Sequence, residues 1–339
     1  MNSKQKILAG LRAESPLSGK QLTRQLGISR QALNVHLKTL MASGEVVKTG
    51  STKNSLYYSA SVASDTGFAV SEFSRQLNLR ATDEGKVYEL LAATLHLKSE
   101  LKASVESIMH YAFTEILNNA IDHAQTERGK INVAIDQGTI NFTVRDFGIG
   151  IFESIASKYH LADEHAAMLE LSKGKTTTMP EAHSGEGIFF TSKIADKLSI
   201  HSHRISIVWD NIKDDVYVSA RRNLKGTLVE FTIKRTARRV LEKIFEEYAS
   251  ADYDYQFQKT KITVKLLQTE YISRSEAKRL MNNLHKFREV TLDFKGVKSI
   301  GQGFADEVLR VFKDRHPDIL IHTINTNETV NSMLLHVKR

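Results

Sequence analysis

Cysteine is absent from the 339 residues, which excludes disulfides and every cysteine-ligated zinc site. No apolar run approaches the roughly 18 residues of a membrane span, and the N-terminus has no apolar stretch of the signal-peptide kind. The expectation is a cytoplasmic chain with no membrane partner. Its length gives room for two or three domains, each with its own core. Acidic residues are scarce at one end: residues 1–62 hold nine Lys or Arg against two Glu, a net +7, while the whole chain carries +8. Such a concentration suits a polyanionic partner, although a solvated basic surface is the blander reading.

The same 62 residues are patterned as helices and a hairpin. Residues 4–13 place Ile7, Leu8 and Leu11 on one helical face, and Pro16 ends that helix. Ser18 opens a second helix through Leu26, Gly27 supplies the tight turn, and Ser29 can cap a third helix with Leu33, Leu37 and Leu40 at core spacing. Arg30, Gln31, Asn34 and Lys38 lie on its other face. After Gly44 come a strand from Glu45 to Thr49, a Gly-Ser-Thr-Lys-Asn turn and a strand through Tyr57 and Tyr58. This order resembles a bacterial winged helix-turn-helix. The resemblance implies double-stranded DNA as a partner, with Arg30, Gln31, Asn34 and Lys38 in the major groove and the wing lysines Lys48 and Lys53 on phosphates. Winged helices also serve protein contacts alone; the basic balance favours DNA.

Residues 59–82, rich in Ser, Ala and Thr, read as a linker with one short helical piece from about Phe73 to Leu79. A helix from Asp83 to Leu97 follows. Three spaced motifs come next. Glu115-Ile-Leu-Asn-Asn119-Ala-Ile-Asp122-His123 sits among apolar residues at helical spacing, so Glu115 and Asn119 share a face. Asp146-Phe-Gly148-Ile-Gly150 follows a strand in which Ile140, Phe142 and Val144 alternate with polar residues. Ser184-Gly185-Glu186-Gly187 opens an apolar helix whose free N–H groups suit a phosphate.

In order and spacing this set resembles the GHKL ATP-binding fold of histidine kinases, type II topoisomerase and mismatch-repair ATPases, and anti-sigma-factor serine kinases. Within that class, Thr176 to Gly187 followed by Lys225-Gly226-Thr227 looks most like the anti-sigma kinases. The resemblance implies ATP and Mg²⁺ as cofactors. It assigns Asp146 to the adenine amine, Asn119 to Mg²⁺ held between the phosphates, and Glu115 to activation of the attacking water or hydroxyl. Gly185, Gly187 and Thr227 would line the phosphate path, with Gly148 and Gly150 forming the turn beside the base. Residues 151–184 occupy the place of that fold's mobile lid, where Lys173 and Lys175 would close over phosphates; a solvated loop explains the lysines equally well. Glu115 as a plain surface residue and Gly148 with Gly150 as an ordinary turn are the bland alternatives.

Past Ile200, short strands are expected around Ile205 to Trp209, Val216 to Ala220 and Thr227 to Ile233, then a helix from Arg235 to Tyr248. From residue 252 strand and helix alternate: Ile262 to Leu267, Ser273 to Phe287, Val290 to Phe294, Gly303 to Lys313, Ile319 to Ile324 and Glu328 to His336. The run from Val290 to Glu307 resembles the STAS domain of anti-anti-sigma factors or a STAS-like relative. Where that family carries its phospho-acceptor serine this chain has Gln302 and Gly303, and Ser299 is out of register. His96 and His110 read as ordinary helix residues. His160 with His165, and His201 with His203, lack a carboxylate at a recognised spacing, so no structural metal is assigned.

The expected architecture is an α/β (α+β) multidomain chain: a winged helix at 1–62, a GHKL α/β sandwich at 83–234 and a STAS-like β-α domain at 252–339. The function implied is a DNA-binding transcription regulator that binds ATP, with or without hydrolysis. Its STAS-like domain would serve coupling or a protein partner, and a homodimer is also entertained. Two alternatives stay open, a serine/threonine protein kinase of the anti-sigma type and a nucleotide-binding switch without turnover.

Overall fold

The computed structural model describes residues 3–14, 16–43, 45–49, 55–59, 71–136, 138–179, 185–270 and 272–337. Two compact units result, Met1–Phe73 with Val133–Asn141, and Ser74–Asn132 with Phe142–Arg339. The N-terminal fold consists of α1 (Ser3–Ala13), α2 (Gly19–Leu26), α3 (Arg30–Ala42) and a small sheet of order β1-β3-β2, formed by β1 (Leu17–Ser18), β2 (Val46–Thr49) and β3 (Leu56–Ser59). Ser18 caps α2 in a reciprocal box with Gln21, Gly27 closes it with φ 62°, and Ser29 accepts from the Ala32 amide to start α3. Each such cap stabilises by about 1 kcal/mol. Ile7, Leu11, Leu22, Leu33, Leu37 and Leu40 close the core. The two-residue β1 pairs with β3 through Leu17 opposite Tyr57; so short a strand has no periodicity to read.

The central sheet has the order β4-β5-β6-β8-β7. Its strands are β4 (Ser71–Asn78), β5 (Arg128–Ile135), β6 (Thr139–Asp146), β7 (Lys197–Asp210) and β8 (Asp215–Lys234). The piece expected to be helical near Phe73 is therefore an edge strand. Phe73 and Leu77 are four apart, a spacing that puts two residues on one face of a helix and on one face of a strand alike. β7 and β8 form one long antiparallel pair with register shifts between Ser202 and Ile205, where shorter strands were expected. The exposed stretch Ala220 to Asn223 carries no apolar alternation, yet its backbone stays in the strand. Phe113 of the helix Ala103–His123 packs on Phe142 at 5.5 Å, and Phe142 stacks on Phe231 at 4.8 Å, joining that helix to β6 and β8.

Residues 151–184 are not one loop. Helices Ile151–Tyr159 and Glu164–Lys173 take up most of the stretch, with Phe152, Ile155, Met168, Leu169 and Leu171 buried; Pro180 to Ser184 lie outside the described residues. The helix after β8 is shorter than expected, Leu241–Tyr248.

At the C-terminal end β9 (Lys259–Thr263), β10 (Glu289–Asp293) and β11 (Leu320–Ile324) form a parallel sheet of order β11-β10-β9. Helical crossovers make that arrangement possible. The helices are Arg274–Met281, a segment from Gln302 to Arg315 with a π turn at Glu307–Val311, and Glu328–Val337. Leu169, Phe189 and Phe190 of the central domain share one apolar cluster with Phe257, Phe287 and Leu292 of the C-terminal sheet region.

Candidate functional site

The helix Ala103–His123 buries Ile108, Ala112, Phe113, Ile116 and Leu117. Glu115, Asn119 and His123 follow one another at four-residue steps, so they line one face. That face opens on a cavity of roughly 210 Å³, with Asn118 beside it. The Asn119 side-chain nitrogen donates to the Glu115 carbonyl at 2.7 Å, which leaves its oxygen as the ligating end. The opposite wall is Gly185, Glu186 and Gly187 at the start of the helix Gly187–Ile194, and Thr176 to Thr178 complete it. A Cβ on Gly187 would lie 2.0 Å from a Glu115 carboxylate oxygen. A side chain there would push the Glu115 carboxylate out of its present position.

A smaller adjoining cavity of roughly 40 Å³ has apolar walls, Ile116, Val144, Ile188 and Val229 among them, and shares Asn119, His123, Ile151 and Ile188 with the first. Asp146, Gly150 and Thr227 also line it. Asp146 is 5% exposed. Its Oδ1 accepts from the amides of Gly148 at 2.9 Å and Thr227 at 3.1 Å, and the Thr227 hydroxyl accepts from the Ile151 amide at 3.0 Å. Burial pushes the Asp146 carboxyl above the usual range, opposed by the bonds from Gly148 and Thr227 and by the Arg145 charge.

The two lid lysines lie elsewhere. Lys173, 1% exposed, has its ammonium on Glu170 at 2.6 Å and on the carbonyls of Arg279 at 3.1 Å and Asn282 at 2.9 Å. Lys175 donates to the Lys286 carbonyl at 2.9 Å. Neither is among the described residues lining the cavities; both ammoniums face the C-terminal domain instead. His123 and Thr176 to Thr178 are cavity residues that the motifs contained without marking. For His123 the signal was its position four residues beyond Asn119 on the same face; the Thr178 hydroxyl meets its Nδ1 at 2.9 Å.

His203, without a carboxylate partner in sequence, pairs in space with Glu164, and Glu153 stands near enough that their candidate ligand atoms lie within 4.8 Å of one another. On the N-terminal fold, Arg30, Gln31, Asn34 and Lys38 are exposed along α3, opposite the buried leucines. Lys48 is half-buried on β2, and Lys53 lies outside the described residues.

No helix among the described residues is long and apolar enough to cross a membrane. Residues 3–57 match the HTH domain family, residues 76–209 the histidine kinase-like ATPase domain, and residues 276–331 the STAS-like domain of unknown function (DUF4325). No curated protein matches the chain. The HTH domain points to DNA and the ATPase domain to ATP. The chain thus carries, in order, an HTH domain, a histidine kinase-like ATPase domain and a STAS-like domain.

Proposed function

We propose that the chain is a transcription regulator in which MgATP, bound by the central domain, alters DNA binding by the N-terminal domain. The carrying observation is the pair of joined cavities, one apolar with a buried carboxylate and one polar beneath a helix start. The first would receive the amino edge of an adenine ring, with Asp146 accepting from its amine and Thr227 beside it. The phosphates fit the second, against the amides that open the helix Gly187–Ile194. Asn119 would hold Mg²⁺ through its oxygen, an ion that takes oxygen ligands and keeps most of its waters. The metal supplies charge neutralisation on the phosphates when bound. Glu115 stands between Asn119 and Gly187, where a carboxylate can take a proton from water at the far end of the phosphate chain. On the N-terminal domain, Arg30, Gln31, Asn34 and Lys38 present donors along one exposed helix face, as base reading requires.

The test is operator binding by the purified chain without nucleotide, with ATP and with ADP, each with Mg²⁺, in wild type and in Asp146→Asn. The reading expects isotherms that differ with nucleotide in wild type and coincide in the variant. Coincident isotherms throughout overturn it.

A further inference from the structure

Glu170 and Lys173 form an ion pair at the end of the helix Glu164–Lys173, with side chains 5% and 1% exposed. Burying two charges costs several kcal/mol per ion unless further hydrogen bonds satisfy both groups. Those bonds come from the STAS-like domain. Asn282 and Asn283 donate side-chain N–H groups to Glu170 at 3.2 and 3.0 Å, while the Arg279 and Asn282 carbonyls accept from Lys173. The pair is therefore satisfied only with the loop Asn282–Asn283 docked. From Lys173 to Lys175 the chain is held again. The Thr260 hydroxyl donates to the Lys173 carbonyl at 2.7 Å. Gly174, at φ +82°, passes so close to Phe257 that a Cβ there would lie 2.8 Å from the ring. The Lys175 ammonium sits 4.9 Å from the centre of the Phe287 ring.

Beyond this anchor the chain turns into the larger cavity. The Thr176 hydroxyl donates to the Glu170 carbonyl at 3.0 Å, and the Tyr159 hydroxyl donates to the Thr177 carbonyl at 2.6 Å. Thr178 meets His123 on the helix that carries Glu115 and Asn119. The backbone of Thr176 also packs against Gly185 in the same wall. A continuous set of bonded groups thus runs from Asn283 to the wall that faces the phosphates.

We propose that the STAS-like domain sets the phosphate-covering segment Thr176–Thr178, with Glu170, Asn282 and Asn283 as its positioning residues. The proposal deepens the ATP reading of the cavity and rests on it. It assigns the C-terminal domain a defined role in nucleotide selection: a domain that holds one wall of the phosphate cavity, and meets the base slot only through His123 and Ile188, which line both, discriminates chiefly by phosphate content. Movement of the Asn282–Asn283 loop, by a partner on that domain, would reset ATP affinity and leave base recognition unchanged.

The experiment uses the full chain and two ligands, ATP with Mg²⁺ and adenosine. Asn283→Asp places a second carboxylate beside Glu170. Asn283→Gly keeps the left-handed backbone, φ 59° in the native residue, and removes only the amide. Arg310→Ala, on an exposed face of the same domain, is the control. Asn283→Asp should weaken ATP by about tenfold or more, the scale of one lost hydrogen bond to a charged group, with adenosine affinity unchanged. Asn283→Gly should follow in the same direction by less, and it carries the test if the aspartate variant does not fold. Without nucleotide, amide exchange at Thr176 to Thr178 should quicken in both. Equal losses for ATP and adenosine, or unchanged ATP affinity with unchanged exchange, overturn the proposal. A wild type that binds no ATP, with exchange still quickened in the variants, sinks the ATP reading and leaves the positioning of the segment standing.

Discussion

Asp146 illustrates how one buried carboxylate ties stability to recognition. Burial raises its pKa, so the fold disfavours the ionised carboxylate relative to the unfolded chain, and the protein loses stability as pH rises through that raised value. An adenine amine donates a hydrogen bond, which favours the ionised form. Adenosine, which has no titrating phosphate, should therefore bind more weakly as pH falls through an interval above the ordinary carboxylate range. Asp146→Asn should flatten that profile and lose about 10- to 100-fold in affinity at neutral pH, the worth of a charge-assisted hydrogen bond. Its thermal stability without ligand should match or exceed that of wild type, since a buried charge has gone. A flat adenosine profile in wild type would remove Asp146 from base recognition. Glu115 belongs to the other cavity and to a different kind of effect. Glu115→Ala should keep ATP binding and cut any turnover by about 10²- to 10⁴-fold, as for a base acting in the transition state; single-turnover hydrolysis beside an equilibrium titration separates the two. Equal loss of both would assign Glu115 to binding.

Among the elements, α3 carries the DNA prediction. Arg30→Ala should cost about 1 to 3 kcal/mol and relax specificity at one base position, whereas Lys48→Ala should weaken all sequences alike and lower the salt slope by about one. Competition binding against a set of single-base operator variants, at two salt concentrations, distinguishes these outcomes. The helix Gln302–Asp306 carries another prediction. It starts with Gln302 and Gly303 where a phospho-acceptor serine would stand, and Gly303 packs against Arg274. Mass spectrometry after incubation with ATP and Mg²⁺ should find the C-terminal domain unmodified; stoichiometric phosphate on Ser299 would revive the protein kinase alternative. Elements with one strong period or one strong cap were legible in the sequence, as with the leucines of α3 behind Ser29 or the alternation of β6. β4 was not, because Phe73 and Leu77 satisfy both periods at once. β8 was legible only where one face is buried; between Ala220 and Asn223 the strand runs on through a register shift with no pattern to mark it. Lys173 and Lys175 read as phosphate ligands because residues 151–184 occupy the place of the resembled fold's mobile lid. What turns them away is a set of carbonyls more than a hundred residues downstream, beyond the reach of any local signal.

For the whole molecule, any effect of ATP on operator affinity must equal the effect of operator on ATP affinity, and couplings of this kind are typically about 5- to 150-fold. Measuring both legs of the cycle checks this: unequal factors would mean that a third equilibrium, such as association of chains, is linked to binding. The ATPase and STAS-like domains are joined by packed rings. Phe189 and Phe190 reach Phe257 at 4.6 and 5.1 Å, and Phe257 reaches Phe287 at 5.3 Å. Aromatic side chains bury about 150 to 250 Å² each, so a crossover between residues 235 and 258 would leave each recombinant half with an open ring-lined face. Such a cut yields two sticky fragments in place of two domains. A cut there harms both halves, so the ATPase and STAS-like domains would be expected to pass on as a single piece.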